Sequence, residues 1–158
     1  GYMLDLSLIV EKSVEEARQG ISKKHGGPFG SVIFDSITGD ILASGHNRVL
    51  IDHDPTCHGE VVAIRNACSK LKTHDLKGYS LYTTCAPCPM CLSAMIWANM
   101  DNCYYGCTSE DAERIGFRDA EMFDHFKGKI NMIVCSKYKR NECLELFAEY
   151  EKMDKELY

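Results

Sequence analysis

His58, Glu60, Cys88 and Cys91 are the residues of this 158-residue chain whose types and spacing can do chemistry together. They lie in two short stretches, Cys57-His58-Gly59-Glu60 and Ala86-Pro87-Cys88-Pro89-Met90-Cys91. One imidazole and two thiolates supply three ligands, which suits a catalytic zinc ion whose fourth position holds a water. The thiolates balance the charge of the ion, and the ion brings the pKa of that water toward neutrality. Glu60, two residues from His58, is placed to handle the water's protons without ligating the metal. Such a water can attack an aromatic ring carbon that bears an exocyclic amine. Glu60 then takes the water's proton, passes it to a ring nitrogen and protonates the departing amine, which leaves a ring carbonyl and ammonia. A structural zinc site is the competing reading, but it calls for four protein ligands. For Glu60 alone the competing reading is a carboxylate in the first turn of a helix. Cys57 and Cys85, each next to a ligand, are read as packing.

Both stretches need elements that bring them together. The apolar rhythm Leu6, Ile9, Val10, Val14, Ala17 predicts a helix over 4–20 with Gly20 as its C-cap. A strand over 31–35, a turn over 37–40 and a return strand over 41–45 form a hairpin. After a loop over 48–56, a second helix starts at Thr56 or Cys57 and runs to about Leu71, burying Val61, Ile64, Ala67, Cys68 and Leu71. A third strand covers 81–84. Pro89 opens a third helix that ends near Asn99, since a proline is tolerated at the first helical position. Cys88 and Cys91 are three apart and share one helix face, and the helix N-terminus favours their thiolates. A fourth strand over 102–106, short helices over 109–114 and 120–126, a fifth strand over 130–135 and a helix from Asn141 to about Lys155 complete the chain. The expected fold is α/β, a three-layer α/β/α sandwich with a mixed five-stranded sheet and both metal-binding helix starts at one end.

Length and composition fit one domain over 1–158. A net charge of −5 argues against a nucleic-acid backbone as the main partner. No apolar run reaches transmembrane length, so no membrane partner is expected. Nine cysteines, an odd number, with a Cys-x-x-Cys and no signal peptide, point to a reduced, cytoplasmic protein. Cys68, Cys103, Cys107, Cys135 and Cys143 are read as small buried apolar residues, Gly1 and Tyr2 are given no role, and His25, His53 and His125 are expected on the surface.

His-x-Glu followed by Pro-Cys-x-x-Cys is the signature of zinc-dependent nucleobase deaminases, and the chain resembles the cytidine deaminase superfamily, most of all bacterial guanine deaminases. The resemblance runs from the first helix to the C-terminus. Gly26-Gly27-Pro28-Phe29-Gly30 is similar to that family's entry to its first strand, and Gly45-His46-Asn47 to its Gly-x-Asn, whose Asn holds the base. Asp54-Pro55-Thr56-x-His58, Ala63-Ile64-Arg65 and Leu81-Tyr82-Thr83-Thr84-Cys85 also match. Gly116-Phe117-Arg118-Asp119 resembles a Gly-Phe-x-Asp segment whose aspartate contacts guanine and assists proton transfer. Ala86 departs from the family, which has Glu there; Leu81-Tyr82-Thr83-Thr84 and His58-Gly59-Glu60 are also similar to fungal-type cytosine deaminases.

The resemblance implies one zinc per chain with a catalytic water, His58, Cys88 and Cys91 as ligands, Glu60 and Asp119 as catalytic residues, and Asn47 as a base contact. Phe29 is read either as stacking on the flat base or as a core residue at a strand start. Asn47 has a turn as its alternative role, Asp119 a helix N-cap, and Trp97 is read as core. The resemblance further implies a homodimer that exchanges C-terminal segments, with Tyr158 near the neighbour's pocket. The expected function is hydrolysis of a free nucleobase, guanine to xanthine and ammonia first. Cytosine or another base or nucleoside is the alternative, then tRNA adenosine, and last a non-catalytic zinc-binding module.

Overall fold

The computed structural model describes residues 4–158; Gly1 and Tyr2 lie outside them. Four strands form one sheet: β1 Gly30–Asp35, β2 Ile41–His46, β3 Tyr79–Cys85 and β4 Asn102–Cys107, in the order β2-β1-β3-β4. β1 pairs antiparallel with both β2 and β3, while β3 and β4 run parallel, so the sheet is mixed. Among the described residues there are also seven helical segments: α1 Ser7–Ser22, the single turn α2 Val49–Asp52, α3 Gly59–Leu71, α4 Pro89–Trp97, α5 Ser109–Arg114, α6 Asp119–Phe126 and α7 Arg140–Glu151.

Alternation along the two central strands builds the layers. Ile33 and Leu81 point to one face and pack with Ala63 and Ala67 of α3 and with Cys91 and Met95 of α4. Val32, Phe34 and Tyr82 point to the other face, under Ile9 of α1. The result is α1, sheet, α3 with α4: the expected three-layer α/β/α order.

Four expectations need correction. The sheet has four strands, because residues 130–135 form no strand and Ile133 and Val134 are exposed. Their apolar run fits strand periodicity, but among the described residues the segment pairs with no strand. Gly20 does not end α1; it sits buried inside it, where a Cβ would stand 2.7 Å from the His46 ring. The buried face of α3 is made of small residues, Gly59, Ala63 and Ala67, with Glu60; Val61, Ile64 and Cys68 flank it and Leu71 is exposed. Close approach explains this, since a Cβ on Gly45 of β2 would lie 2.7 Å from the Ala63 nitrogen. Finally, Trp97, Cys107, Cys135 and Cys143 are exposed rather than core, and Cys68 and Cys103 are half-buried. Among the described residues no helix is long and apolar enough to cross a membrane.

Candidate active site

Two helix N-termini meet at one end of the sheet. His58 precedes α3 in extended conformation (φ −68°, ψ 156°), and Cys88 precedes α4 in the same way (φ −68°, ψ 168°). Pro89 fills the first position of α4, and the Ala86 N–H donates to the Cys107 carbonyl at 2.8 Å, which fixes the short link from β3. Gly59 lets α3 start against β1: a Cβ there would meet the Phe29 carbonyl at 3.1 Å. The helix therefore begins one residue past His58 rather than at Thr56 or Cys57.

The Nδ1 of His58 lies 3.6 Å from Cys88 Sγ and 3.5 Å from Cys91 Sγ, and all three ligand atoms fall within 4.8 Å of one another. Zinc bonded to nitrogen at ~2.0 Å and to sulfur at ~2.3 Å in a tetrahedron separates those atoms by about 3.5 Å. The donor set and its spacing thus fit a zinc ion. Among the described residues no fourth His, Cys, Asp or Glu joins the cluster, which leaves a ligand position for water. The Cys91 thiol donates toward Cys88 and lowers that thiol to about 4, with His58 adding to the effect; Cys91 is correspondingly raised. Hydrogen bonding with Cys88 raises His58.

Glu60 lies in the first turn of α3, 5% exposed, and burial raises its carboxyl above the usual range. The Ser31 hydroxyl, from β1, donates to its Oε1 at 3.4 Å. His58, Glu60, Cys85 and Cys88 line one side of a cavity of about 500 Å³. Cys85 is buried and pushed up to about 12, by burial first and then by the Asp119 charge, so it stays a neutral wall residue. Cys57 is also buried, as expected for packing.

The remaining cavity wall comes from loops. Phe29 lines it and meets Phe117 edge to face, with centroids 4.7 Å apart and planes at 79°. Asn47 is buried; its Oδ1 accepts the Val49 N–H at 3.0 Å, which leaves its side-chain N–H groups to face a ligand. Asp119 lines the cavity as the first residue of α6, while Arg118 holds the N-cap position, so the capping role does not apply. Burial, and then the charge of Cys88, raises the Asp119 carboxyl. Tyr158 lies elsewhere in its own chain, 81% exposed, with its ring 5.9 Å from His74 and 6.1 Å from Trp97. Val49, Leu50 and Met122 were not expected among the wall residues. Their only signal was the apolar pair directly after Asn47-Arg48 and the apolar position three after Asp119.

Residues 3–107 match the cytidine and deoxycytidylate deaminase zinc-binding region. The guanine deaminase of Bacillus subtilis is 42% identical over 114 residues, which cover 72% of this chain and 72% of that protein. A tRNA-specific adenosine deaminase of Haemophilus influenzae is 28% identical over 123 residues, 78% of this chain and 70% of the relative. The X-ray structure of the Bacillus subtilis guanine deaminase superposes with a TM-score of 0.89 at 33% identity and covers 98% of this chain and 99% of that one. The structure of a guanine deaminase from Nitrosomonas europaea matches with a TM-score of 0.69 at 26% identity, covering 97% of this chain and 88% of that one.

Proposed function

The chain belongs to the cytidine and deoxycytidylate deaminase zinc-binding family, and on that premise we propose that it hydrolyses free guanine to xanthine and ammonia. The observation that carries this reading is a single cavity in which His58, Cys88 and Cys91 stand at zinc-ligand spacing beside a buried Glu60 and face Asp119. When bound, zinc supplies Lewis-acid activation of a water. The chain's own residues do the rest. Glu60 accepts a proton from the attacking water and returns it to the ring nitrogen, then serves the departing amine. Its burial makes it a stronger base than a solvated carboxylate. Asn47 donates to an acceptor on the base edge. Asp119 accepts from the opposite edge of the ring and assists proton transfer. Phe29 and Phe117 present apolar surface to the ring faces. The net change is one C–N bond broken, one C–O bond formed, and ammonia released.

Free guanine is favoured over a polynucleotide for two reasons. The guanine deaminase similarity is higher than that to the tRNA-specific enzymes. The chain also carries a net charge of −5, which argues against a tRNA backbone as its main partner. Ammonia release from the zinc-loaded protein on guanine, cytosine, adenine, cytidine and guanosine tests the reading. Turnover of guanine alone supports it, and turnover of cytosine without guanine overturns it.

The working unit in this reading is a homodimer that exchanges C-terminal segments. α7 and the stretch before it are exposed throughout, with Val134, Phe147 and Tyr150 carrying apolar surface. β4 ends the sheet with Tyr104 and Tyr105 also exposed. A second copy would cover both, and Tyr158 would reach the neighbour's cavity. A truncation after Glu151 that left activity and dimer unchanged would rule the exchange out. The odd count of nine cysteines with a Cys-x-x-Cys favours a reducing compartment, and we propose the cytoplasm.

A further inference from the structure

Outside the catalytic centre, a part-buried chain of titratable groups takes no part in the proposed chemistry. Glu16 of α1, 14% exposed at its side chain, accepts from the Ser44 hydroxyl at 2.6 Å and faces His46 Nδ1 at 2.9 Å. His46, 11% exposed and the last residue of β2, faces His25 Nδ1 through its Nε2 at 2.8 Å. Gly20 makes the room, because any Cβ there would enter the His46 ring. His25, expected at the surface, is half-buried and hydrogen-bonded there. Arg48, itself bidentate to Asp52 at 2.9 and 3.0 Å, reaches His25 Nδ1 at 3.5 Å.

The far end of this chain holds the cavity wall. The His25 carbonyl accepts the N–H of Leu50 at 2.9 Å and of Ile51 at 3.2 Å. Asn47, directly after His46, gives its N–H to the Phe29 carbonyl at 2.9 Å. Two loops are thus tied together, one carrying Gly26, Gly27 and Phe29, the other Asn47, Val49 and Leu50, and all six residues line the cavity. Neither loop lies in the sheet, so its own ladder does not hold it.

We infer that Glu16, His46 and His25 are positioning residues that fix the substrate-facing loops 25–29 and 47–51. A single proton lies between the two imidazoles, so one nitrogen donates and the other accepts. His46 faces Glu16 through Nδ1 and His25 through Nε2, so its ring ties the two together whichever of the facing nitrogens carries that proton. The effect is on substrate binding, through Asn47 and the apolar wall, and leaves the zinc ligands and Glu60 where they are. Scoring it by kinetics rests on the guanine reading; scoring it by backbone protection does not.

The test is His46→Phe, which keeps a ring and removes both nitrogens, in the full-length zinc-loaded protein. The expected result is a KM for guanine raised about tenfold, the scale of one lost hydrogen bond, with kcat within about twofold and zinc content unchanged. Hydrogen exchange at the Leu50 and Ile51 amides should rise by about tenfold as well. A folded, zinc-loaded variant with wild-type KM and wild-type exchange at both amides overturns the inference. Should His46→Phe fail to fold, His25→Ala breaks the same chain from its more exposed end, with the same two outcomes. If the wild-type protein leaves guanine untouched, the functional reading falls, and amide exchange alone decides the positioning role.

Discussion

Substituting Gly26 by alanine should disable substrate binding without touching the metal centre. An ideal Cβ on Gly26 would lie 2.1 Å from Asn47 Oδ1, 2.9 Å from its Cγ and 3.0 Å from its carbonyl oxygen. The backbone there is open to any residue, so the whole effect is steric. A carbon and an oxygen in contact need more than 3 Å, so the Asn47 amide must move by about 1 Å. That movement breaks its bond to the Val49 N–H, worth about 1 kcal/mol of stability. A misplacement of that size in a positioning group costs about 10²-fold in rate, or about 2.7 kcal/mol of transition-state stabilisation. Steady-state ammonia release on guanine, zinc content and calorimetric binding of 8-azaguanine provide the assay. The expected outcome is kcat/KM down about 10²-fold, weaker 8-azaguanine binding and one zinc retained. Gly78→Ala is the control. It carries a φ of +92° but meets nothing within 4 Å, so it should cost about 1 kcal/mol of strain and leave kcat/KM alone. Wild-type kcat/KM and 8-azaguanine affinity in Gly26→Ala would refute the assignment of Asn47 as a base contact held in place by that close approach.

Glu60→Gln should retain zinc and lose turnover by about 10²- to 10⁴-fold, the usual contribution of a positioned acid–base group; metal analysis beside ammonia release reads both. Cys91→Ala should lower zinc per chain measurably on dialysis, since two remaining ligands cannot hold the ion as three do; full zinc occupancy would remove Cys91 from the ligand set. Burial alone would raise the Glu16 carboxyl, but hydrogen bonds from Ser44 and His46 outweigh it and the carboxyl lies below its ordinary value. A lowered carboxyl stabilises the fold above its unfolded value of 4.5 and loses that contribution as pH falls through the lowered value. Thermal melts across pH 3 to 6 should therefore fall more steeply for wild type than for Glu16→Gln, and parallel curves would contradict it.

The cluster of His58, Cys88 and Cys91 was legible because local sequence fixes where each residue stands. His58 and Cys88 both precede a helix, and one motif sets each start. Asp119 was legible only by resemblance, since spacing alone allowed a helix cap there; the structure puts Arg118 at the cap and Asp119 in the cavity. Leu50 and Met122 could not be read at all, because wall residues on loops follow no period. The contacts of His25 escaped for a related reason. Its partners, His46 and Arg48, are 21 and 23 residues away, and only the hairpin return brings them near. The small-residue face of α3 escaped the helical rhythm because the usual rule weights large apolar residues. At Gly45 and Ala63 the distance between backbones decides the packing, and size works against burial.

The missing fifth strand follows from the same distinction between local and distant causes. Residues 130–135 carry the apolar content of a buried strand, and Val134 is nonetheless 82% exposed. A strand pattern records only what a segment can satisfy when a partner edge is offered. β4 offers such an edge, parallel to β3, with its outer side unpaired and its tyrosines exposed. Open edges of this kind invite pairing with another chain, and the exposed apolar arm gives one copy a segment to offer another. The dimer proposed above would satisfy both features with the same contact, and it would bring Tyr158 to a cavity that its own chain does not let it reach.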